Sequence, residues 1–452
     1  MIQIDLKVFL TELVKRINLA SYLSVISAVN PTGVESCLIF CLLDLLNYLS
    51  EPGILEKSTL NRLDPPDVVL TNGWDRISYN ILRSLAKAGL KCALGVDHNL
   101  GMGFFSKYAH LRFIHGSILE DENHFIKDIT TFITRAQPKV YMPTGEEIFI
   151  VARHLDFLKT LNVHVPISDY DSLIAFHDKL NFFRIAEKLD LPTPATILPD
   201  SVSDITAFGN QYGYPVVLKI RQSSSAKGVY YLSKGNIEKA LENLMVKGSI
   251  RYGLFIVQQF VSGTGYGVSL LLNEGKTRAI FTHRRLREKI YSGGPSTVRI
   301  STKNDVLEAY AISLLTSRKY HGVAMVEFKY DEKRKKGWLM EVNPRFWGSV
   351  GLAIHAGVDF PLLLYKMAVH GDVPSVKSYR LNLTYRWLLG DILGVLSKVK
   401  AKRNPFLMLE LFQRSDGFDD FYRDDPLPFF MRIYLALKRD FKNRPRNGCR
   451  FF

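Results

Sequence analysis

Apolar residues recur at helical spacing through Leu6, Phe9, Leu10, Leu13 and Ile17, so residues 1–60 read as a helical N-terminal extension to which no chemical role attaches. From residue 61 the pattern changes. Asp67–Asn72 is a short apolar run ending at Gly73, and Ile77–Ala88 has apolar positions at 77, 81, 82, 85 and 88 before Gly89, which predicts a strand and then a helix. Cys92–Asp97 and Val140–Met142 read as further strands, Glu146–Leu161 as a helix and His164–Ile167 as another strand. This alternation predicts a parallel sheet of Rossmann-like α/β type over 61–170.

Residues 171–192 read as a helical connection. Two strand-rich segments follow without regular alternation, an α+β signature. The first, about 193–261, holds strands at Pro215–Ile220, Val229–Leu232 and Leu254–Gln258, with a helix at 236–246. The second, about 262–371, holds strands at Tyr266–Leu272, Thr277–Thr282, Gly322–Tyr330 and Gly337–Val342, with a helix at 304–319. Beyond it, 372–452 reads as a helical C-terminal region. An acidic, aromatic run at 416–426 precedes an amphipathic basic helix at 428–441.

The 452 residues, 47% hydrophobic and 23% charged, suit an ordinary globular protein of two or three domains. The four cysteines, Cys37, Cys41, Cys92 and Cys449, form no CxxC pair, so neither a disulfide framework nor a zinc ribbon is indicated. The N-terminus lacks a basic segment followed by an apolar core, and the longest apolar run, 37–49, is too short for a membrane span and contains Asp44. A cytoplasmic location is expected. The net charge of +15 is uneven: residues 431–450 hold seven basic side chains against Asp440. A basic tail differs from a uniformly basic surface, so no nucleic-acid partner is expected. For 428–450, packing on the core and peripheral contact with the inner face of a membrane both stay open.

The strongest chemical pattern is Glu327 with Glu341-Val-Asn-Pro-Arg345. Glu341 and Asn343 are two apart on a predicted strand and share a face. The charged run 331–336 reads as a hairpin turn that can bring Glu327 beside Glu341. Two carboxylates and an amide oxygen suit Mg²⁺, a hard cation, and Arg345 can reach a phosphoryl group with its planar fork. Solvated edge residues and an Asn-Pro turn are the plain alternative. GxSxG, GxxxxGK[ST] and HExxH are absent.

Residues 171–371 resemble an ATP-grasp domain, the fold of biotin carboxylase, carbamoyl-phosphate synthase and D-alanine–D-alanine ligase. The resemblance rests on Asp178-Lys179, the strand ending in Lys219, the loop Ser223–Gly228, the hinge Val257–Val261, and Glu327, Glu341, Asn343 and Arg345 in that order. It implies a Rossmann-like pre-ATP-grasp domain (61–170) before a two-lobed domain, with a lid at 193–261 and a base at 262–371. It implies phosphate contacts from Lys179, Lys219, Ser224, Ser225, Lys227 and Gly228. Gln258, Gln259 and Val261 would meet adenine, and Glu327, Glu341 and Asn343 would hold Mg²⁺ or Mn²⁺, two ions in all.

The cluster His283–Lys289 with the loop 292–299 resembles a segment of uncharacterised ATP-grasp carboxylate–amine ligases. Arg285 and Arg287 alternate onto one face of a predicted strand, and with Arg299 are expected to hold triphosphate or a substrate carboxylate. Arg345, Arg299 and Arg285 are the expected catalytic residues and Arg287 a nucleotide contact. His355 is a candidate for lining an acceptor site. The implied activity is ATP-dependent ligation of a small-molecule carboxylate to an amine through an acyl phosphate. A kinase, a thioester-forming ligase and a non-catalytic nucleotide-binding scaffold are the alternatives. A homodimer is allowed.

Overall fold

The structure, a computed structural model, describes residues 64–97, 101–223, 228–246, 248, 250–289 and 294–442. The expected N-terminal extension, Ser224, Ser225, Lys227 and the tail 443–450 lie outside them. The chain divides into two compact units, Met1–Gly53 with Tyr422–Leu427, and Ile54–Phe421 with Pro428–Phe452. The described part of the first is a turn leading into a helix.

The first layer of the second unit is a parallel sheet in the order β3-β2-β1-β4, built from β1 (Val68–Leu70), β2 (Cys92–Val96), β3 (Leu111–Ile114) and β4 (Val140–Met142). Between them run α1 (Arg76–Lys87) and α2 (Glu122–Ala136). The α1 helix starts where Asp75 accepts from the Ile77 and Ser78 amides, and α2 starts the same way at Asp121; each cap satisfies amides that have no partner inside the helix. Strands this short stay in place because both faces are buried, as all-parallel sheets require. The single helix expected over 146–161 is broken at His154 into α3 (Ile148–Arg153) and α4 (Leu155–Lys159). The strand expected at 164–167 reduces to one bridge, Val140 to His164.

Two helices, α5 (Tyr170–His177) and α6 (Lys179–Lys188), connect to the lid. Its elements are β5 (Thr196–Ile197), α7 (Val202–Tyr212), β6 (Val216–Ile220), β7 (Val229–Leu232), α8 (Ile237–Val246) and β8 (Phe255–Gln259). The sheet is antiparallel, ordered β5-β8-β6-β7. The helices close over one face, burying Ile205, Phe208, Leu218, Leu241 and Val257 in a core of their own.

The base contains β9 (Thr264–Asn273), β10 (Lys276–Glu288), β11 (Ser296–Thr302), α9 (Asp305–Thr316), β12 (Gly322–Asp331), β13 (Lys336–Asn343), α10 (Val350–Ala356) and α11 (Phe360–His370). The β10 strand joins the strand expected at Thr277–Thr282 and the basic strand after it into one, and β11 forms where a loop was expected. After the base come β14 (Thr384–Arg386), α12 (Leu388–Lys402), a 3₁₀ helix (Pro405–Phe412), β15 (Gly417–Phe418) and α13 (Leu427–Lys442). The C-terminal region is therefore not wholly helical. Its two strands complete a seven-stranded sheet in the order β13-β12-β9-β10-β11-β14-β15.

Along β12, alternation divides the sheet between two cores. Ala324, Val326 and Phe328 enter the core shared with α9 and the connecting helices. Val323 and Met325 enter the one shared with Trp347, α10 and α11. Glu327 and Lys329 continue the second face into the crevice toward the lid. Among the described residues no single helix is long and apolar enough to cross a membrane, and the one bent pair that approaches the criterion, α10 with α11 at 83°, lies largely in this core.

Candidate active site

Glu327 and Glu341 stand directly opposite each other across the β12–β13 ladder, with Met325 opposite Asn343. The register shifts by one residue between Glu327 and Phe328, leaving Met340 as an extra residue on β13. This bulge turns Glu341 onto the face of Glu327; without it the carboxylate would point into the apolar core. Asn343 Nδ2 donates to Glu327 Oε1 at 3.2 Å, so the three side chains converge.

Cations surround the pair. Arg285 Nη2 lies 2.6 Å from Glu327 Oε2, and Lys179 Nζ lies 3.4 Å from Glu341 Oε1. Lys179 is the first residue of α6, set by the Asp178 cap, and also donates to the Ser223 carbonyl at 2.8 Å. Burial pushes the Glu341 carboxyl above its ordinary range, and the facing Glu327 adds to this against the pull of Lys179. Burial also disfavours the Arg285 guanidinium, but Glu327 and Glu288 outweigh it and hold its pKa up.

Lys219 projects from the lid strand β6. It donates to Gln258 Oε1 at 2.7 Å, and Gln258 Nε2 donates to Thr196 Oγ1 at 2.9 Å. Burial lowers Lys219 to about 8, opposed by Glu341 and reinforced by Lys179. Gln258 is fully buried with both ends of its amide engaged. Its side chain thus holds a lysine on one side and the Thr196 hydroxyl on the other. Gln259 and Val261 are partly exposed beside it. Gly228 has φ +73°, and a Cβ there would meet Ile220 Cδ1 at 2.4 Å, so only glycine fits where the chain enters β7.

Three sequence expectations meet a different geometry. Arg285 pairs in register with Arg299, but a second bulge places Arg287 opposite Val298. Leu286 is the extra residue, so Arg287 leaves the face of Arg285. Its guanidinium instead forks onto Asp391 (2.7 and 2.9 Å) and reaches Glu410 (3.0 Å). Arg299 is fully buried and salt-bridged to Asp419, so in place of a substrate contact it has a buried structural partner. His355 stacks at a tilt on Tyr385, 5.3 Å between ring centres, and no contact ties it to the carboxylates.

Arg345 lies behind Asn343. Its Nη2 and Nε donate to Glu146 Oε1 at 2.7 and 3.1 Å, and Nη1 donates to the Phe346 carbonyl at 2.8 Å. Burial works against the Arg345 charge, and Glu146 more than restores it. Glu146, Thr196 and Lys329 were not singled out from the sequence. Only Lys329 left a signal: it is two residues beyond Glu327, on the same face. A groove of about 310 Å³ is lined among others by Gly265, Arg285, Lys289, Lys329 and Lys398.

This arrangement fits a divalent cation. Two opposed carboxylates and an amide oxygen are hard donors, and their repulsion is balanced here by Arg285 and Lys179. Among the described residues no three His, Cys, Asp or Glu side chains gather, so the donor set rests on the two glutamates and Asn343.

The family described as "ATP-grasp in the biosynthetic pathway with Ter operon" matches residues 253–390, which run from β8 to β14 and carry both glutamates. This part of the chain resembles an ATP-grasp domain. Urea amidolyase of Lachancea kluyveri is 29% identical over 217 residues, which is 44% of this chain and 12% of that relative. The chain thus spans a small fraction of the length of this curated relative. Biotin carboxylase from Campylobacter jejuni, solved as a β-γ-ATP complex, superposes with a TM-score of 0.58 at 16% identity, covering 71% of this chain and 74% of that one. The biotin carboxylase domain dimer of Hydrogenobacter thermophilus 2-oxoglutarate carboxylase, with MgADP, ADP and bicarbonate, gives 0.58 at 14% identity over 71% and 74%. These likenesses show that the lid and base are those of the ATP-grasp fold.

Proposed function

We propose that the chain is an ATP-dependent ligase that activates a small-molecule carboxylate as an acyl phosphate and passes the acyl group to an amine. The observation that carries this reading is the facing of Glu327 and Glu341 across β12 and β13, with Lys179 and Lys219 converging on them. Nucleotide would lie between lid and base. Lys179 and Lys219 would neutralise phosphate oxygens as point charges. Glu327, Glu341 and Asn343 would hold Mg²⁺, expected as two ions, which when bound supply charge neutralisation on the triphosphate. Ser224, Ser225 and Lys227 are expected on the phosphates as well.

In the first step a substrate carboxylate oxygen attacks the γ-phosphorus; the bond to the β–γ bridging oxygen breaks and ADP leaves. In the second an amine attacks the acyl carbon, phosphate departs with the electron pair, and the amine loses a proton. Little covalent chemistry falls to the protein, so positioning and charge neutralisation carry the rate. Arg345, held by Glu146 at the end of β13, would steady the acyl phosphate. Arg285 would release Glu327 as the cation binds and swing toward the substrate. The dimeric relative makes a homodimer a reasonable working assembly.

The test is ADP release from Mg²⁺-ATP with pooled amino acids, hydroxy acids and sugar acids, products being identified by mass spectrometry, beside Glu341→Ala. An amide product lost in the variant supports the ligase. A phosphorylated alcohol or a thioester moves the chain to another ATP-grasp reaction. Silence together with no Mg²⁺-ATP binding leaves only a scaffold.

A further inference from the structure

The hairpin formed by α12 and the 3₁₀ helix after it presents an apolar surface that the site does not use. In a 3₁₀ helix side chains three apart eclipse, so Phe406, Leu409 and Phe412 form one row. They are 77, 63 and 50% exposed, and no residue of the 3₁₀ helix is buried. On α12, Leu393 and Leu396 are also exposed and share a helical stripe with Lys400. The opposite stripe is turned inward: Asp391 binds Arg287, Val395 is buried, and Lys398 binds Glu410.

The charges follow the same division. Residues 396–414 hold five basic side chains and a single carboxylate, Glu410. Glu410 is directed inward to Arg287 and Lys398. Outward lie Lys400, Lys402, Arg403 and Arg414, flanking the apolar row at both ends. Lysine is depleted from protein–protein interfaces, whereas lysine and arginine beside exposed phenylalanine and leucine match a bilayer surface carrying anionic headgroups.

We infer that this hairpin is a membrane-docking surface, in which Phe406, Leu409 and Phe412 enter the interface of an anionic bilayer and the flanking cations meet lipid phosphates. This goes beyond the ligase reading and does not depend on it.

The experiment is co-sedimentation of the full chain with vesicles of phosphatidylcholine alone or mixed with phosphatidylglycerol. Wild type is expected to pellet with the anionic vesicles and to be released by salt. Replacing the row (Phe406→Ser, Leu409→Ser, Phe412→Ser) should weaken partitioning about tenfold or more. Arg403→Gln with Arg414→Gln should remove the preference for phosphatidylglycerol. Unchanged melting temperatures would show that the variants fold. Wild type remaining in the supernatant with both vesicles overturns the inference. So does a triple variant that pellets like wild type, including one whose binding then disappears on removal of 443–452. Concentration-dependent self-association lost in the triple variant, with no vesicle binding, would make the row an interface between copies and equally overturn it.

Discussion

Gln258 accepts a 2.7 Å hydrogen bond from the Lys219 ammonium, and its own amide nitrogen is held by Thr196. A residue expected beside adenine thereby holds the buried lysine of the lid strand β6.

Nucleotide affinity should accordingly depend on this pair. Burial lowers Lys219 to about 8, so above that pH the free protein carries a neutral lysine that must take up a proton to meet phosphate. Affinity for Mg²⁺-ATP should fall as pH rises through this value, by up to about tenfold per unit. Gln258→Glu places a carboxylate on the ammonium and should move the fall to higher pH. Calorimetric titration of both proteins from neutral to alkaline pH checks this; an unmoved limb would assign the titration to another group.

Arg285 acts as the counter-ion of Glu327 at 2.6 Å. Arg285→Ala should destabilise the metal-free protein by about 2 kcal/mol, the size of a charged hydrogen bond. Added Mg²⁺ should then raise its melting temperature more than that of wild type, since the cation replaces the lost charge. Arg285→Ala with Glu327→Gln should show no such gain. Equal Mg²⁺ responses in all three would mean that the cation binds elsewhere.

The buried Arg299–Asp419 pair should behave structurally. Arg299→Met leaves the buried Asp419 carboxylate with only the more distant Arg76, 3.9 Å away, and should cost about 3 kcal/mol in urea unfolding. Arg299→Met with Asp419→Leu should recover most of it. A single variant of wild-type stability that has lost turnover would instead return Arg299 to the catalytic set.

Glu146 should matter to turnover although it lies in the first domain. It holds Arg345 through two hydrogen bonds to one oxygen. Glu146→Gln should lower kcat about tenfold by loosening the arginine, with Mg²⁺-ATP affinity unchanged. Parallel losses in affinity and kcat would indicate general disruption of the lid and base.

Much of the architecture was readable from residue patterns. The strands β1, β2 and β4, the lid strands β6, β7 and β8 and the hairpin pairing Glu327 with Glu341 follow from alternation and from the charged turn at 331–336, whereas β3 and the two-residue β5 were not anticipated. The departures trace to bulges and long-range partners, which local spacing does not reveal. One extra residue at Leu286 separates Arg287 from Arg285, although a plain strand would align them. The fates of Arg287 and Arg299 depend on Asp391, Glu410 and Asp419, about a hundred residues away. Glu146 was equally hidden, since its partner comes 199 positions later. The break at His154 in the expected 146–161 helix had no Pro or Gly to announce it.

The base sheet has no natural end at the expected boundary of 371. The edge of β11 is paired with β14, and β14 with β15. A chain cut at 371 would present the open edge of β11 to solvent, an invitation to aggregation, and would strip Arg287 and Arg299 of their carboxylates. The C-terminal segment is thus no removable appendix. Any transplant of this domain into another protein must carry residues through at least Asp420, and mutations in the segment should be inherited as if they lay in the catalytic core.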